Sequence, residues 1–128
     1  MAALLVAAVR PYSVADAVIV PVPTIATRRR VRGFDQSARL ARACGTAFDH
    51  PVLLALAQTA HDAQRGRDRA ARLLARGRFA CIAPRLVAGV RIVLVDDVVT
   101  TGATLRDCAE TLAGCGARVE DAFVLAYA

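Results

Sequence analysis

Two adjacent carboxylates, Asp96 and Asp97, close an apolar run and lead into two threonines, a glycine and a third threonine in the stretch VLVDDVVTTGAT. Threonine hydroxyls donate hydrogen bonds, and a glycine lets backbone N–H groups approach an anion with no side chain in the way. Where such a bend opens a helix, the unpaired amides and partial positive charge of the helix start are added, which suits a phosphate monoester. The bend is expected to begin at Val98, and Val98, Val99, Thr100, Thr101, Gly102, Ala103 and Thr104 are the expected ligand-binding residues. The aspartates would repel a phosphate, so they need another task. Accepting hydrogen bonds from neighbouring hydroxyls, as an acidic residue does for ribose in dinucleotide sites, is one that fits. A sugar phosphate satisfies both halves. A plain helix start, with Thr104 and Asp107 as a weak capping box, would explain the end of the stretch but not the paired aspartates.

The elements that must hold this bend are legible from periodicity. Residues 3–10 read as a short helix, and AVIVPVP (17–23) reads as a strand ended by its prolines. FDQSARLARACGTAF (34–48) places Phe34, Ala38, Ala41 and Cys44 or Gly45 at helical spacing, and VLLAL (52–56) suits a short buried strand. VRIVLV (90–95) is a further strand, followed by a helix with Leu105, Cys108, Ala109, Leu112 and Cys115 on one face and ended near Gly114 and Gly116. VEDAFVLAYA is expected as the last strand. Apolar strands alternating with amphipathic helices describe an α/β domain with a mostly parallel sheet flanked by helices on both sides. In such sheets the ligand lies beyond the carboxyl ends of the strands, where Asp96 and Asp97 fall.

Length and composition agree with one domain over residues 1–128, since 56% apolar content suffices for a core. All seventeen basic residues are arginine and the net charge is +6, so anionic partners are implied. The absence of lysine excludes Schiff-base chemistry and the P-loop lysine, and no GxGxxG stretch is present. Cys44, Cys81, Cys108 and Cys115 form no CxxC pair and are expected as reduced core thiols. His50 and His61 stand apart from any metal-ligand spacing. Ala2 to Val9 is too short for a membrane span and has no cationic residue ahead of it, so a cytoplasmic protein without membrane contact is expected.

VLVDDVVTTGAT resembles the phosphoribosyl-pyrophosphate (PRPP) binding motif of type I phosphoribosyltransferases. With VPVPTIATRRRVRGFDQ (20–36) the resemblance narrows to the ComF-like competence family, whose pattern pairs a VPVP strand end with an arginine-rich loop closing on RGFNQ. It runs from about residue 18 to the C-terminus. The family's upstream zinc module and lysine-bearing opening segment have no counterpart here, so a truncated core is expected, as a short copy or through a misplaced start. The resemblance implies that Asp96 and Asp97 hold the ribose 2′- and 3′-hydroxyls and that Thr100 to Thr104 bind the 5′-phosphate. It further implies that Gln64 and Arg72 belong to a flexible loop over the site.

Twelve of the seventeen arginines fall in residues 28–42 and 65–78. Arg28, Arg30 and Arg32, with Gly33, lie in the loop after VPVP, where guanidinium forks favour a pyrophosphate; Arg39 and Arg42 read as surface residues. Arg65, Arg69, Arg72 and Arg76 follow helical spacing. If the chain is an enzyme, Asp96, Asp97, Arg30 and Arg32 are its expected catalytic residues. The reaction would break the bond between ribose C1 and pyrophosphate and deliver a nitrogen base or amine, with Mg²⁺ carried by PRPP. Two other readings remain: a PRPP-binding module without turnover acting with a partner in DNA uptake, and direct nucleic-acid binding along the arginine stripes.

Overall fold

The computed structural model describes residues 16–23, 35–59, 75–76 and 78–128, with residues 75–76 described in backbone alone. The expected helix over residues 3–10, the loop with Arg28, Arg30, Arg32 and Gly33, and Phe34, His61, Gln64, Arg65, Arg69 and Arg72 lie outside the described residues.

Three parallel strands form the main sheet. β1 (Ala17–Pro21) pairs with β5 (Arg91–Val99), which pairs with β6 (Arg118–Tyr127). β5 is central and its apolar run is buried from Ile92 to Val95, which is why it reads as a continuous hydrophobic stretch. The side chains of β1 and β5 alternate between two cores. Ile19 and Val95 pack with Leu40, Ala41 and Cys44 of α1 (Gln36–Phe48), while Val20, Ile92 and Leu94 pack with Cys108 and Leu112 of the C-terminal helix (Ala103–Ala113). One helix on each core gives the flanked parallel sheet that the alternation of elements implies. The other expected face residues of the C-terminal helix, Leu105, Ala109 and Cys115, pack partly buried on the same core.

A second sheet was not foreseen. β2 (Leu56–Gln58), β3 (Ala75–Arg76) and β4 (Phe79–Cys81) form a small antiparallel sheet in the order β2-β4-β3. Its Phe79 and Cys81 join the core under the C-terminal helix. Two expectations change here. The strand over 52–56 is not one: Val52 makes a single parallel bridge to Ile19, anchored by Ile19 N–H to Pro51 O and Leu53 N–H to Ile19 O, both at 2.9 Å, and Leu56 already belongs to β2, paired with Cys81 in the other sheet. The helical arginine stripe cannot run through Arg76, because Ala75 and Arg76 pair with Ala80 and Phe79 in a tight hairpin.

Local chemistry explains the boundaries of α1. Asp35 is its N-cap, with Oδ1 accepting from the N–H of Ala38 at 3.2 Å, so the acid that replaces the asparagine of RGFNQ starts a helix. Gly45 permits close packing, since a Cβ there would meet Val52 Cγ2 at 2.6 Å and the His50 carbonyl at 2.9 Å. Arg39 and Arg42 are exposed, as read from the sequence. A one-turn helix, α2 (Pro84–Val87), precedes β5. The Ala103–Ala113 helix is α3. Gly114 is its C-cap, and Gly116, with a φ of 86°, turns the chain into β6. β6 is the last strand expected from VEDAFVLAYA; it pairs with β5 and is largely exposed. Cys44, Cys81 and Cys108 are buried in the core positions expected of them, and Cys115 is partly buried.

Candidate functional site

The site is built by the strand end, the bend and the first turn of α3. β5 runs past the strand expected over 90–95 and past Val98, where the bend was expected to begin: Val98 and Val99 pair with Ala126 and Tyr127 of β6, so the ladder carries the strand past both aspartates. Asp96 is buried at 7% exposure, Asp97 is half-buried and Val98 faces outward at 37%. The bend proper occupies Thr100 to Gly102. Gly102 is the N-cap of α3 with a φ of 84°, a left-handed conformation that side chains other than glycine resist. It caps with no side chain, so Thr104 is not the first residue of a capping box; instead Thr101 Oγ1 accepts from the Ala103 N–H at 3.2 Å.

A cavity of about 110 Å³ opens over this segment. Asp96, Asp97 and every residue from Val98 to Leu105 line it, joined by Val22 and Pro23 from the end of β1 and by Arg78 and Phe79 from the small sheet. The two aspartates and the glycine bend thus share one space, at the carboxyl end of the central strand.

Hydrogen bonds fix the acidic pair. Asp96 Oδ1 accepts from the Asp97 N–H at 2.8 Å and from the Ser37 hydroxyl at 3.2 Å, and Asp97 Oδ1 accepts from the Val98 N–H at 2.8 Å. Burial pushes the Asp96 carboxyl up from 3.8 to about 6. The Asp97 amide bond opposes this, the Asp97 carboxylate adds to it, and the Ser37 bond opposes it again. A carboxylate held so is a strong acceptor for ligand hydroxyls above pH 6 and a neutral acid below.

Two polar residues at the site were not foreseen. Ser37 reaches Asp96 from the first turn of α1; its only signal in the sequence is a polar side chain within a turn that the structure buries. Arg78, at the end of the arginine-rich stretch, donates from Nη2 to Thr104 Oγ1 at 3.0 Å and from Nε and Nη2 to Asp107 Oδ2 at 3.4 Å each. Nothing in the sequence separates it from its five neighbours in that stretch. Of the expected site residues, Asp96 to Thr104 are brought together; Arg28, Arg30, Arg32 and Gly33 lie outside the described residues. Among the described residues no group of three His, Cys, Asp or Glu side chains is placed to hold a metal ion.

The fold is that of type I phosphoribosyltransferases. It superposes on a structure described as the allosteric regulatory enzyme of purine biosynthesis with a TM-score of 0.68 at 22% identity, covering 97% of this chain and 25% of that one. The glutamine PRPP amidotransferase of B. subtilis, complexed with ADP and GMP, matches with a TM-score of 0.66 at 23% identity over 94% of this chain and 25% of its own. Residues 39–127 match the phosphoribosyl transferase domain, and the chain belongs to that family. It is also similar to the Competence protein ComFC of Bacillus subtilis, with 33% identity over 95 residues, 74% of this chain and 38% of ComFC. The chain therefore spans well under half the length of that relative.

Proposed function

We propose that the chain binds PRPP, or a closely related ribose 5-phosphate ligand, and transfers its phosphoribosyl group to a nitrogen base or amine with release of pyrophosphate. One observation carries the reading: two hydrogen-bonded aspartates and an open glycine bend at a helix start line the same small cavity. The assignment gives the ribose 2′- and 3′-hydroxyls to Asp96 and Asp97 and the 5′-phosphate to the Thr100 to Thr104 bend, with Val98 and Val99 walling the passage between them. The positive end of α3 and the threonine hydroxyls favour the phosphate.

In the transfer, the C1–O bond to pyrophosphate breaks while the acceptor nitrogen bonds to C1, and positive charge builds on the ribose ring. Asp96 and Asp97 lie beside that ring and can offset the charge while fixing its hydroxyls. Arg28, Arg30 and Arg32, with Gly33 in their loop, are assigned to the departing pyrophosphate. Mg²⁺ belongs to the substrate in this scheme, where it neutralises charge on the pyrophosphate. The four free cysteines agree with a cytoplasmic location, and no helix among the described residues is long and apolar enough to cross a membrane.

The likeness to ComFC favours a second reading, a PRPP-binding module that acts through a partner in DNA uptake without turnover. The experiment that separates the two is pyrophosphate release from PRPP and Mg²⁺ over a panel of purine, pyrimidine and amine acceptors. Release with one acceptor supports transfer; PRPP binding without release on any acceptor supports the module. Binding to single-stranded DNA that falls steeply with salt, with no response to PRPP, would support direct nucleic-acid contact through the arginine clusters instead.

A further inference from the structure

The cavity has one cationic wall among the described residues, and it comes from outside the bend. Arg78 follows the β3 strand and is the only arginine lining the cavity there. Its guanidinium is held on three sides. Asp107 Oδ2, one turn into α3, accepts from Nε and Nη2 at 3.4 Å; Thr104 Oγ1 accepts from Nη2 at 3.0 Å; and the guanidinium carbon lies 5.6 Å from the centroid of the Phe79 ring. Phe79 itself is fixed in the core at 1% exposure, so the face on which the arginine rests does not move.

This arrangement has a directional consequence. A threonine hydroxyl has one proton and two lone pairs. With a lone pair of Thr104 engaged by Arg78, the hydroxyl proton is left to donate elsewhere, and the cavity is where Thr104 already faces. Nη1 makes no hydrogen bond among the described residues, so part of the fork is also available. The Asp107 contacts are long, and both side chains are partly exposed, at 50% for Arg78 and 33% for Asp107, so the guanidinium charge is only partly cancelled. A doubly charged phosphate can compete for it.

We propose that Arg78 is a specificity-determining residue for the phosphate ester of the ligand. It orients the Thr104 hydroxyl as a donor and supplies a fixed guanidinium at the edge of the bend. The proposal rests on the sugar-phosphate reading of the cavity and adds to it a residue outside the bend. The small antiparallel sheet, packed against α3 through Phe79 and Cys81, delivers this one side chain to the helix start.

The test compares ribose 5-phosphate and PRPP, which carry the phosphate ester, with pyrophosphate, which does not, by calorimetry on the full chain. Arg78→Ala should lose tenfold or more in affinity for ribose 5-phosphate and PRPP and stay within twofold for pyrophosphate. Arg78→Lys, which keeps a charge but not the fork, should fall between the wild type and Arg78→Ala. If Arg78→Ala does not fold by thermal unfolding, Arg78→Lys carries the test with a loss of threefold or more for ribose 5-phosphate. Arg78→Ala combined with Thr104→Val should lose less than the product of the single losses, because the two side chains act as one donor set. Unchanged ribose 5-phosphate affinity in folded Arg78→Ala, or equal losses for pyrophosphate, overturns the proposal while PRPP binding by the wild type keeps the parent reading. A wild type that binds neither PRPP nor ribose 5-phosphate overturns both.

Discussion

The Ser37 hydroxyl donates to Asp96 Oδ1 at 3.2 Å, joining the first turn of α1 to the central strand across 59 residues of sequence. Both side chains are buried, at 1% and 7% exposure. Asp96 Oδ1 thus accepts from both the Ser37 hydroxyl and the Asp97 amide. Removing the hydroxyl should therefore be felt in the carboxyl's titration as well as in stability. In Ser37→Ala the Asp96 carboxyl is expected to titrate above its present value of about 6, because a bond that favours the ionised form is gone. The loss should also cost about 1.5–3 kcal/mol, the range for a hydrogen bond to a charged group. Carbon-detected NMR of the Asp96 carboxyl, with urea unfolding at pH 7.5, checks both; an unmoved titration would show that the contact does not form in solution.

Asp96 also predicts a pH-dependent trade between stability and site chemistry. Its folded value of about 6 lies above the ordinary 3.8, so the folded chain holds this proton more tightly than the unfolded chain does. Ionisation of Asp96 thus opposes folding fully above pH 6, and the opposition fades as pH falls toward 3.8. A shift of this size corresponds to on the order of 3 kcal/mol. Asp96→Asn should be more stable than the wild type near pH 7.5, and this gain should shrink by on the order of 2 kcal/mol by pH 4.5. Denaturant midpoints at the two pH values measure it, and a gain independent of pH would contradict the buried, partly neutralised carboxyl.

The cap of α1 matters because it seats Ser37. Asp35→Ala should destabilise by about 1 kcal/mol, whereas Asp35→Asn, which can still accept from the Ala38 N–H, should lie within a few tenths of the wild type. Thermal unfolding of the two variants tests this, and equal losses in both would mean that charge and not capping is what Asp35 supplies.

Two glycines should respond to alanine for different reasons. At Gly102 a Cβ meets nothing within 4 Å, so only the left-handed backbone is penalised, by about 1–2 kcal/mol. At Gly45 the backbone is an ordinary helix, but the added Cβ falls 2.9 Å from the His50 carbonyl and 2.6 Å from Val52. Gly45→Ala should therefore cost about 1–3 kcal/mol through displaced packing of the 50–52 segment. Gly102→Ala should weaken binding of ribose 5-phosphate, and Gly45→Ala should leave it nearly unchanged. The reverse pattern would place the phosphate away from the bend.

Much of this was legible in the sequence where one element buries a continuous or periodic apolar face. The runs that became β1, β5, α1 and α3 carry that signal, and it puts Asp96 and Asp97 toward the carboxyl end of β5, although the strand itself continues to Val99. Where pairing depended on a distant partner, the sequence was mute. Val98 and Val99 stay in the ladder because β6 reaches them, and Val52 bridges only because Ile19 lies beside it. The small antiparallel sheet has strands of two or three residues, too short for any period to show. Arg78 is one arginine among several in its stretch, and only the hairpin that β3 and β4 form brings it to Thr104.

The central claim is that Asp96 and Asp97 accept the hydroxyls of a ribose whose phosphate lies in the Thr100 to Thr104 bend. The most direct measurement is calorimetric titration of the wild type and of Asp96→Asn combined with Asp97→Asn with PRPP and Mg²⁺ at pH 7.5. The account predicts that the wild type binds and that the folded double variant is weaker by several kcal/mol, at about 1.5–3 kcal/mol for each charged hydrogen bond lost. Equal affinity in the two proteins, or no heat of binding with the wild type, would contradict it.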